Sequence, residues 1–146
     1  MDRKLRLTLA STFADHLRVV LPDFKLWNAT APCLSGNDVV WKRGNCLVIL
    51  TPDSRGLRDA VTVELAYSEH GRFPDLAQRP SLISQAQLDD VHLESEWIVR
   101  LGRVDGGSFD LIEVSMTSCH EVSAFLVERL QTVGLPFFER MSTELA

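Results

Sequence analysis

The feature that most constrains the fold is a run of strand-like sequence from Asn37 to Ser68, NDVVWKRGNCLVILTPDSRGLRDAVTVELAYS. Its centre, Cys46 to Leu50, is apolar at every position, and a strand that is apolar on both alternating faces must be covered on both sides. Gly44 lies just before this centre, where it can supply the positive φ of a tight hairpin turn. The stretch therefore predicts consecutive antiparallel strands in the middle of a sheet.

The end of this stretch predicts a turn and a third strand. Pro52, Asp53, Ser54 and Gly56 are turn-forming residues. The strand from Ala60 to Tyr67 then alternates between two faces, with Val61, Val63, Leu65 and Tyr67 on one and Thr62, Glu64 and Ala66 on the other. Such alternation is typical of a half-buried antiparallel strand.

The amino-terminal segment from Asp2 to Val20 has a helical pattern. Its apolar residues recur at spacings of three and four, and Asp2 stands where it can cap the helix. These apolar residues are Leu5, Leu9, Phe13, Leu17 and Val20. One helix with a single continuous apolar stripe is predicted here.

A second helix is predicted near the other end, from Ser118 to Val133. Ser118 and Glu121 have the spacing of a capping box. Gly134 and Pro136 follow the last turn and predict its end, because glycine favours a left-handed stop and proline cannot continue a helix. The apolar residues beyond them should pack back on the core.

The rest of the chain has weaker patterns. A short edge strand is predicted at Phe24 to Asn28, and a short helix at Ser81 to Asp90. A further strand begins near Glu96. The residues from Asp105 to Ser108 predict a hairpin turn into a last strand, Phe109 to Val114.

These elements predict one α+β domain over residues 1–146, with a largely antiparallel five- to six-stranded sheet. The amino- and carboxy-terminal helices should pack on one face of it. The other face has to meet either the irregular middle of the chain, residues 69–90, or a second copy of the chain. A homodimer is therefore one of two open alternatives.

Composition excludes several classes of function. No run of 18 apolar residues is present, and charged residues interrupt the amino terminus, so neither a membrane span nor a signal peptide is predicted. The net charge of −5 disfavours nucleic-acid binding. Three widely spaced cysteines, without a metal-binding or disulfide pattern, favour a reducing compartment and hence the cytoplasm. No cofactor-binding motif occurs.

The most unusual local composition is the acidic segment, Asp89 to Glu96. If it is extended, four of its side chains share one face, because side chains repeat every two residues along a strand; they are Asp90, His92, Glu94 and Glu96. A divalent cation is one interpretation. A solvated polar face with Val91 and Leu93 turned inward, or a docking surface for a basic protein, is favoured over it. The predicted partner-binding residues are Asp89, Asp90, His92, Glu94 and Glu96.

Histidine offers the alternative of an enzyme. His16, His70, His92 and His120 are the only ready proton shuttles. The sequence places no catalytic partner for any of them, and the adjacent Cys119 and His120 point in different directions if they lie on a helix. A small His-based or metal-dependent enzyme is therefore an alternative to a binding protein.

Four short stretches resemble a bacterial family of domains of unknown function, some of whose members look like immunity proteins of toxin systems. They are Val40 to Arg43, Val61 to Leu65, Arg100 to Arg103 and Gly134 to Glu139. The resemblance implies a non-enzymatic α+β protein that binds a toxin or another partner. The small size and element order are also similar to type III secretion chaperones, which would imply a homodimer.

Overall fold

A computed structural model of the chain describes residues 1–27, 34, 37–55, 58–73 and 79–142, without the side chains of residues 54, 55, 92 and 93. The described residues form six strands, four α-helices and one 3₁₀ helix, as predicted for an α+β fold. The helices are α1 (Arg3–Val20), α2 (Leu101–Val104), α3 (Cys119–Arg129) and α4 (Leu135–Met141), and the 3₁₀ helix is Gln85–Leu93. The strands are β1 (Lys25–Trp27), β2 (Val39–Arg43), β3 (Cys46–Arg55), β4 (Arg58–Ser68), β5 (Glu96–Arg100) and β6 (Ile112–Glu113).

The first helix has the predicted bounds and cap. Asp2 Oδ1 accepts a hydrogen bond of 2.8 Å from the N–H of Leu5, which satisfies one of the free donors at the helix entrance. The buried residues recur at a spacing of four along one side; they are Leu5, Leu9, Phe13 and Leu17. None of the described helices is both long and apolar enough to cross a lipid bilayer.

The sheet is antiparallel with strand order β1-β2-β3-β4-β5, and β6 pairs with β4 beside β5. Gly44 has a φ of 57° in the turn between β2 and β3, as predicted. The predicted turn is wrong at Pro52, Asp53 and Ser54, because β3 and β4 stay paired from Cys46 and Tyr67 as far as Arg55 and Arg58. Gly56, the last residue of that prediction, lies outside the described residues. The local turn preference of Pro52, Asp53 and Ser54 is overridden by the long pairing of β3 with β4. The edge strand β1 is confirmed for Lys25–Trp27, while Asn28 lies outside the described residues.

One face of the sheet is covered by the terminal helices, as predicted. Alternate residues of β3 and β4 pack against α1, α3 and α4 in one large apolar cluster. Trp97 of β5 lies at its centre, with ring centroids 5.4 Å from Phe137 and 5.9 Å from Phe138. We call this side of the sheet the helix-covered face.

The opposite face, which we call the second face, is buried too. Its apolar cluster contains Leu47, Ile49 and Ala66 from the central strands, and Phe73 packs on them from the irregular middle of the chain. The prediction that β4 is half-buried is therefore wrong: Thr62, Glu64 and Ala66 are all buried. The chain covers this face with its own middle segment, which is one of the two alternatives that the sequence left open.

The middle segment passes around the outer edge of β5. Leu82 pairs with Ile98 on the second face, whereas Ile83 and Val91 pack into the helix-covered cluster. The predicted helix at Ser81 to Asp90 is instead the 3₁₀ helix Gln85–Leu93. Its entrance is stabilised by Gln87, whose Oε1 accepts from the N–H of Ser84 at 3.1 Å and from its hydroxyl at 3.0 Å.

The segment after β5 differs from the predicted hairpin. Gly106 and Gly107 have positive φ as expected of a turn, but the turn follows α2 and leads to β6, which pairs with β4. Gly102 in α2 lies against the backbone of Phe109. A Cβ at position 102 would lie 1.7 Å from the Phe109 carbonyl oxygen. This contact folds the 105–110 loop back on α2.

The carboxy-terminal helix differs from prediction at both ends. The Ser118 hydroxyl accepts from the N–H of Ser115 at 2.9 Å and does not cap α3, so the predicted capping box is wrong. The predicted stop is also wrong: a π-helical turn, Leu130–Gly134, joins α3 directly to α4. Gly134 has a φ of −68°, and Pro136 follows the π-helical turn within α4 without ending the helix.

Candidate functional site

The acidic segment is not extended, so its predicted common face does not form. Residues up to Leu93 are 3₁₀-helical and the strand begins only at Glu96. Val91 is buried as predicted, with 1% of its surface exposed, and it anchors the segment in the core. The side chain of Leu93, the other residue predicted to turn inward, is outside the described part of the structure. Asp89, Asp90 and Glu94 are exposed on the outside of this turn.

The two other predicted binding residues differ from these three carboxylates. Glu96 is paired with Arg72, and only 14% of its side chain is exposed. Its role is to join the end of β5 to the segment after β4. The side chain of His92 lies outside the described part of the structure. The exposed acidic surface therefore consists of Asp89, Asp90 and Glu94, none of which makes an ion pair within the described residues.

A metal site in the acidic segment has no support in the geometry. Across the described residues, no group of three histidine, cysteine, aspartate or glutamate side chains is arranged to hold an ion. The reason is local: a 3₁₀ turn spreads the carboxylates around the chain instead of aligning them along one side.

A buried ionic cluster lies on the second face, and sequence reasoning did not find it. Arg79 donates to Oε1 of Glu64 and, at 3.3 Å, to Oδ2 of Asp38. Thr51 also donates to Glu64 Oε1, at 2.9 Å. The side chains of Glu64 and Asp38 are 4% and 1% exposed. A glutamate inside an apolar strand was the one signal of this cluster in the sequence, because buried charges need partners.

The same face continues in polar residues beside this cluster. Thr62 lies two residues before Glu64 in β4, on the same face of the sheet, and pairs with Thr51 of β3. Its hydroxyl has no hydrogen-bond partner among the described residues. Arg100 is the cross-strand partner of Glu64 and its Nη1 lies 2.6 Å from both carboxylate oxygens of Asp110. Of these residues only Arg79 belongs to the irregular middle segment, and its ion pairs with Glu64 and Asp38 join that segment to the sheet, so we interpret the cluster as structural.

The fold brings together two histidines that are 104 residues apart. His16 Nε2 on α1 lies 3.2 Å from His120 Nδ1 on α3, and the ring centroids are 4.6 Å apart. His16 is half-buried and His120 is exposed. Both residues were candidates from the sequence, but their proximity could not be predicted, because it depends on how α1 packs against α3.

The histidine pair opens into a surface groove of about 330 Å³. The groove is lined by Thr12, Asp15, His16, Val19, Val20 and His120. Two imidazoles in hydrogen-bond contact can pass a proton between them or share a metal ion. Nucleophilic catalysis has no support here: Cys119 beside His120 is 3% exposed, and burial raises the pKa of its thiol, which keeps it protonated and unreactive.

No protein-family model matches the chain, and no curated protein or solved structure is similar to it at a significant level. The likeness to immunity-like proteins and to secretion chaperones therefore stays a prediction. Function has to be inferred from the acidic surface, the buried ionic cluster and the histidine pair themselves.

Proposed function

We propose that this protein acts by binding another protein, and that the exposed carboxylates of Asp89, Asp90 and Glu94 contact a basic surface on that partner. The observation that carries the proposal is that these three carboxylates make no ion pair within the described residues while the backbone beneath them is anchored. Charged groups arranged in this way raise the association rate of an oppositely charged partner.

The anchoring of the acidic segment favours binding over mere solubility. Val91 is buried in the core, and the guanidinium of Arg103 donates to the carbonyl oxygen of Ile83 at 2.6 Å. Gln87 closes the entrance of the 3₁₀ helix. A segment that is already ordered loses less conformational entropy on binding, which leaves more of the interaction energy for affinity.

The proposal includes a cytoplasmic setting and an activity like that of an immunity protein, which neutralises a toxin by covering it. Cys119 supports the setting, because it is a free, buried thiol. The resemblance of four short stretches to an immunity-like family supports the activity. On this proposal the chain has no catalytic residue, and His16 and His120 take no part in binding the toxin.

One of the two observations that favoured a homodimer like that of secretion chaperones no longer supports it. An apolar second face left room for a second copy of the chain, but Phe73 and Leu82 pack on that face. The homodimer proposal now rests on the similarity of element order alone. We therefore favour a different protein as the partner.

The test is affinity capture from the organism that encodes the chain, with association rates then measured on the captured protein. We expect the triple variant Asp89→Asn/Asp90→Asn/Glu94→Gln to associate about ten-fold more slowly than the unaltered chain at low salt. The difference should shrink as the salt concentration rises, because ions screen exposed charges.

A matched control separates this surface from net charge. Asp23→Asn/Glu121→Gln/Glu139→Gln removes the same number of negative charges from other exposed positions. It should leave the association rate within about two-fold of the unaltered chain. Equal slowing by both triple variants, or by neither, would show that the acidic segment is not the contact surface.

A further inference from the structure

We propose that His16 and His120 form a binding site for a divalent transition-metal ion of the zinc, nickel or copper type, with water completing its coordination. The site joins the first helix of the chain to the last long one. It is separate from the acidic segment and independent of the protein-binding proposal.

The positions of the two nitrogen atoms fit a shared ion. Two imidazole nitrogens bound at 2.0–2.1 Å to one tetrahedral zinc ion lie about 3.3 Å apart. His16 Nε2 and His120 Nδ1 are 3.2 Å apart. The ring planes are tilted by 55°. Only a small movement of the exposed His120 ring is needed to admit the ion between the two nitrogens.

The two rings can bind the ion without a net loss of protons. In the present hydrogen bond one of the facing nitrogens carries a proton and the other accepts it. With an ion bound, both facing nitrogens offer a lone pair, and each neutral ring keeps its proton on the outer nitrogen, Nδ1 of His16 and Nε2 of His120. The ion therefore requires a change of tautomer in one ring and no net release of a proton.

The surroundings select the class of ion. Imidazole is a ligand for zinc, copper and nickel, whereas calcium and magnesium prefer several oxygen ligands, which are not assembled here. The open groove of about 330 Å³ has room for the waters that a two-ligand site needs. Asp15 on the groove wall is paired with Arg18 at 2.5 Å, so this pair adds little net charge.

The expected consequence is a clamp between α1 and α3. An ion that binds the folded chain and not the unfolded chain raises the unfolding temperature in proportion to the logarithm of its concentration. The two ligands are 104 residues apart in sequence, so they meet only in the folded state. Binding and stabilisation should therefore disappear together when either ligand is removed.

The experiment is calorimetric titration of the untagged full-length chain with Zn²⁺ and separately with Ni²⁺, accompanied by thermal unfolding with and without the ion. We expect one ion per chain and a higher unfolding temperature when it is present. His16→Gln and His120→Gln should each weaken binding by about ten-fold or more, which is roughly 1.4 kcal/mol, and abolish the stabilisation. Both variants replace groups that are not fully buried, so the fold should survive, as circular dichroism would show.

His70→Gln and His92→Gln are the matched controls, since they remove the other two histidines. Both should bind zinc as the unaltered chain does. Loss of binding in His92→Gln but not in His16→Gln would place the ion on the acidic segment and overturn the proposal. The absence of stoichiometric binding by the unaltered chain, or binding that survives in the double variant His16→Gln/His120→Gln, would overturn it as well.

Discussion

The helix-covered face of the sheet is buried by regular elements with apolar stripes, whereas the second face is buried by an irregular segment that carries its own ionic cluster. On the first, α1, α3 and α4 supply leucine, phenylalanine and valine side chains. On the second, Phe73 and Leu82 cover only the apolar part, and Arg79 meets the buried carboxylates of Asp38 and Glu64.

The difference shows that burial and regularity are separate properties. A periodic helix makes a large apolar contact with few backbone groups to satisfy. An irregular cover leaves polar groups near the sheet, and they must be paired inside it. The second face should therefore depend on a few specific polar contacts, and the helix-covered face on packing volume.

The largest expected effect compares one phenylalanine from each face. Phe13→Ala should lower the free energy of unfolding by about 4–5 kcal/mol, because Phe13 is fully buried and packs on Trp41 with ring centroids 5.1 Å apart. Phe73→Ala should cost about 3 kcal/mol or less, since an irregular cover can collapse into the space left. Urea unfolding measures both. Leu7→Ala, on an exposed side chain, is the control, and equal costs at Phe13 and Phe73 would contradict the difference in rigidity.

A second test concerns the ionic cluster. Arg79→Met should destabilise the chain by about 3 kcal/mol, because it removes the cation that the buried carboxylate of Glu64 meets. We take the lower end of the usual range since Arg79 is 29% exposed. Arg58→Met breaks a pair whose members are both exposed and should cost less than about 0.5 kcal/mol. Similar losses in the two variants, measured by chemical unfolding, would mean that the cluster does not hold the cover.

A third test compares the space around two glycines, Gly102 and Gly134, by adding a methyl group at each. Gly102→Ala should cost about 2–3 kcal/mol, because the new Cβ meets the backbone of Phe109 and a backbone cannot move aside cheaply. A Cβ at position 134 meets only the ends of leucine side chains, Leu130 at 3.1 Å, Leu101 at 3.3 Å and Leu65 at 3.7 Å. Gly134→Ala also gains about 1 kcal/mol of helix propensity. Its net effect on thermal unfolding should be near zero. A larger loss at Gly134 than at Gly102 would reverse the assignment of the close contact.

The smallest expected effect lies where the chain passes from one face to the other. Gln87→Ala removes the acceptor for the N–H of Ser84 and should cost about 0.5–1 kcal/mol. Because the contact is local, amide exchange should quicken over Gln85–Leu93 before the sheet is affected. Gln131→Ala, at an exposed position of the π-helical turn, is the control. Unchanged exchange in Gln85–Leu93 would show that Val91 alone anchors the segment.

Agreement between sequence and structure follows the range of the interactions. The first helix, its Asp2 cap, the Gly44 hairpin and a central strand apolar on both faces were predicted, because each depends on residues close together in the chain. The predicted stop at Gly134 and the cap at Ser118 were wrong. At Gly134 the local preference is overridden because Phe137 and Phe138 pack on Trp97 in the core, and the helix continues so that they reach it. Ser118 is an exception to this pattern, because its hydroxyl accepts a competing local hydrogen bond from the N–H of Ser115.

The candidate site divides in the same way. Sequence alone identified an acidic segment with an inward Val91, since composition and alternation are local properties. It could not show that Glu96 turns to Arg72, because that pair joins two segments 24 residues apart.

By itself, then, the sequence determined an α+β chain with a buried antiparallel centre and helices at its ends, because periodicity and turn chemistry act within a few residues. Only the tertiary structure decided that the chain covers its own second face, that Arg79 meets Glu64, and that His16 meets His120. These contacts arise from the packing of elements far apart in sequence, and no local preference specifies which elements will touch.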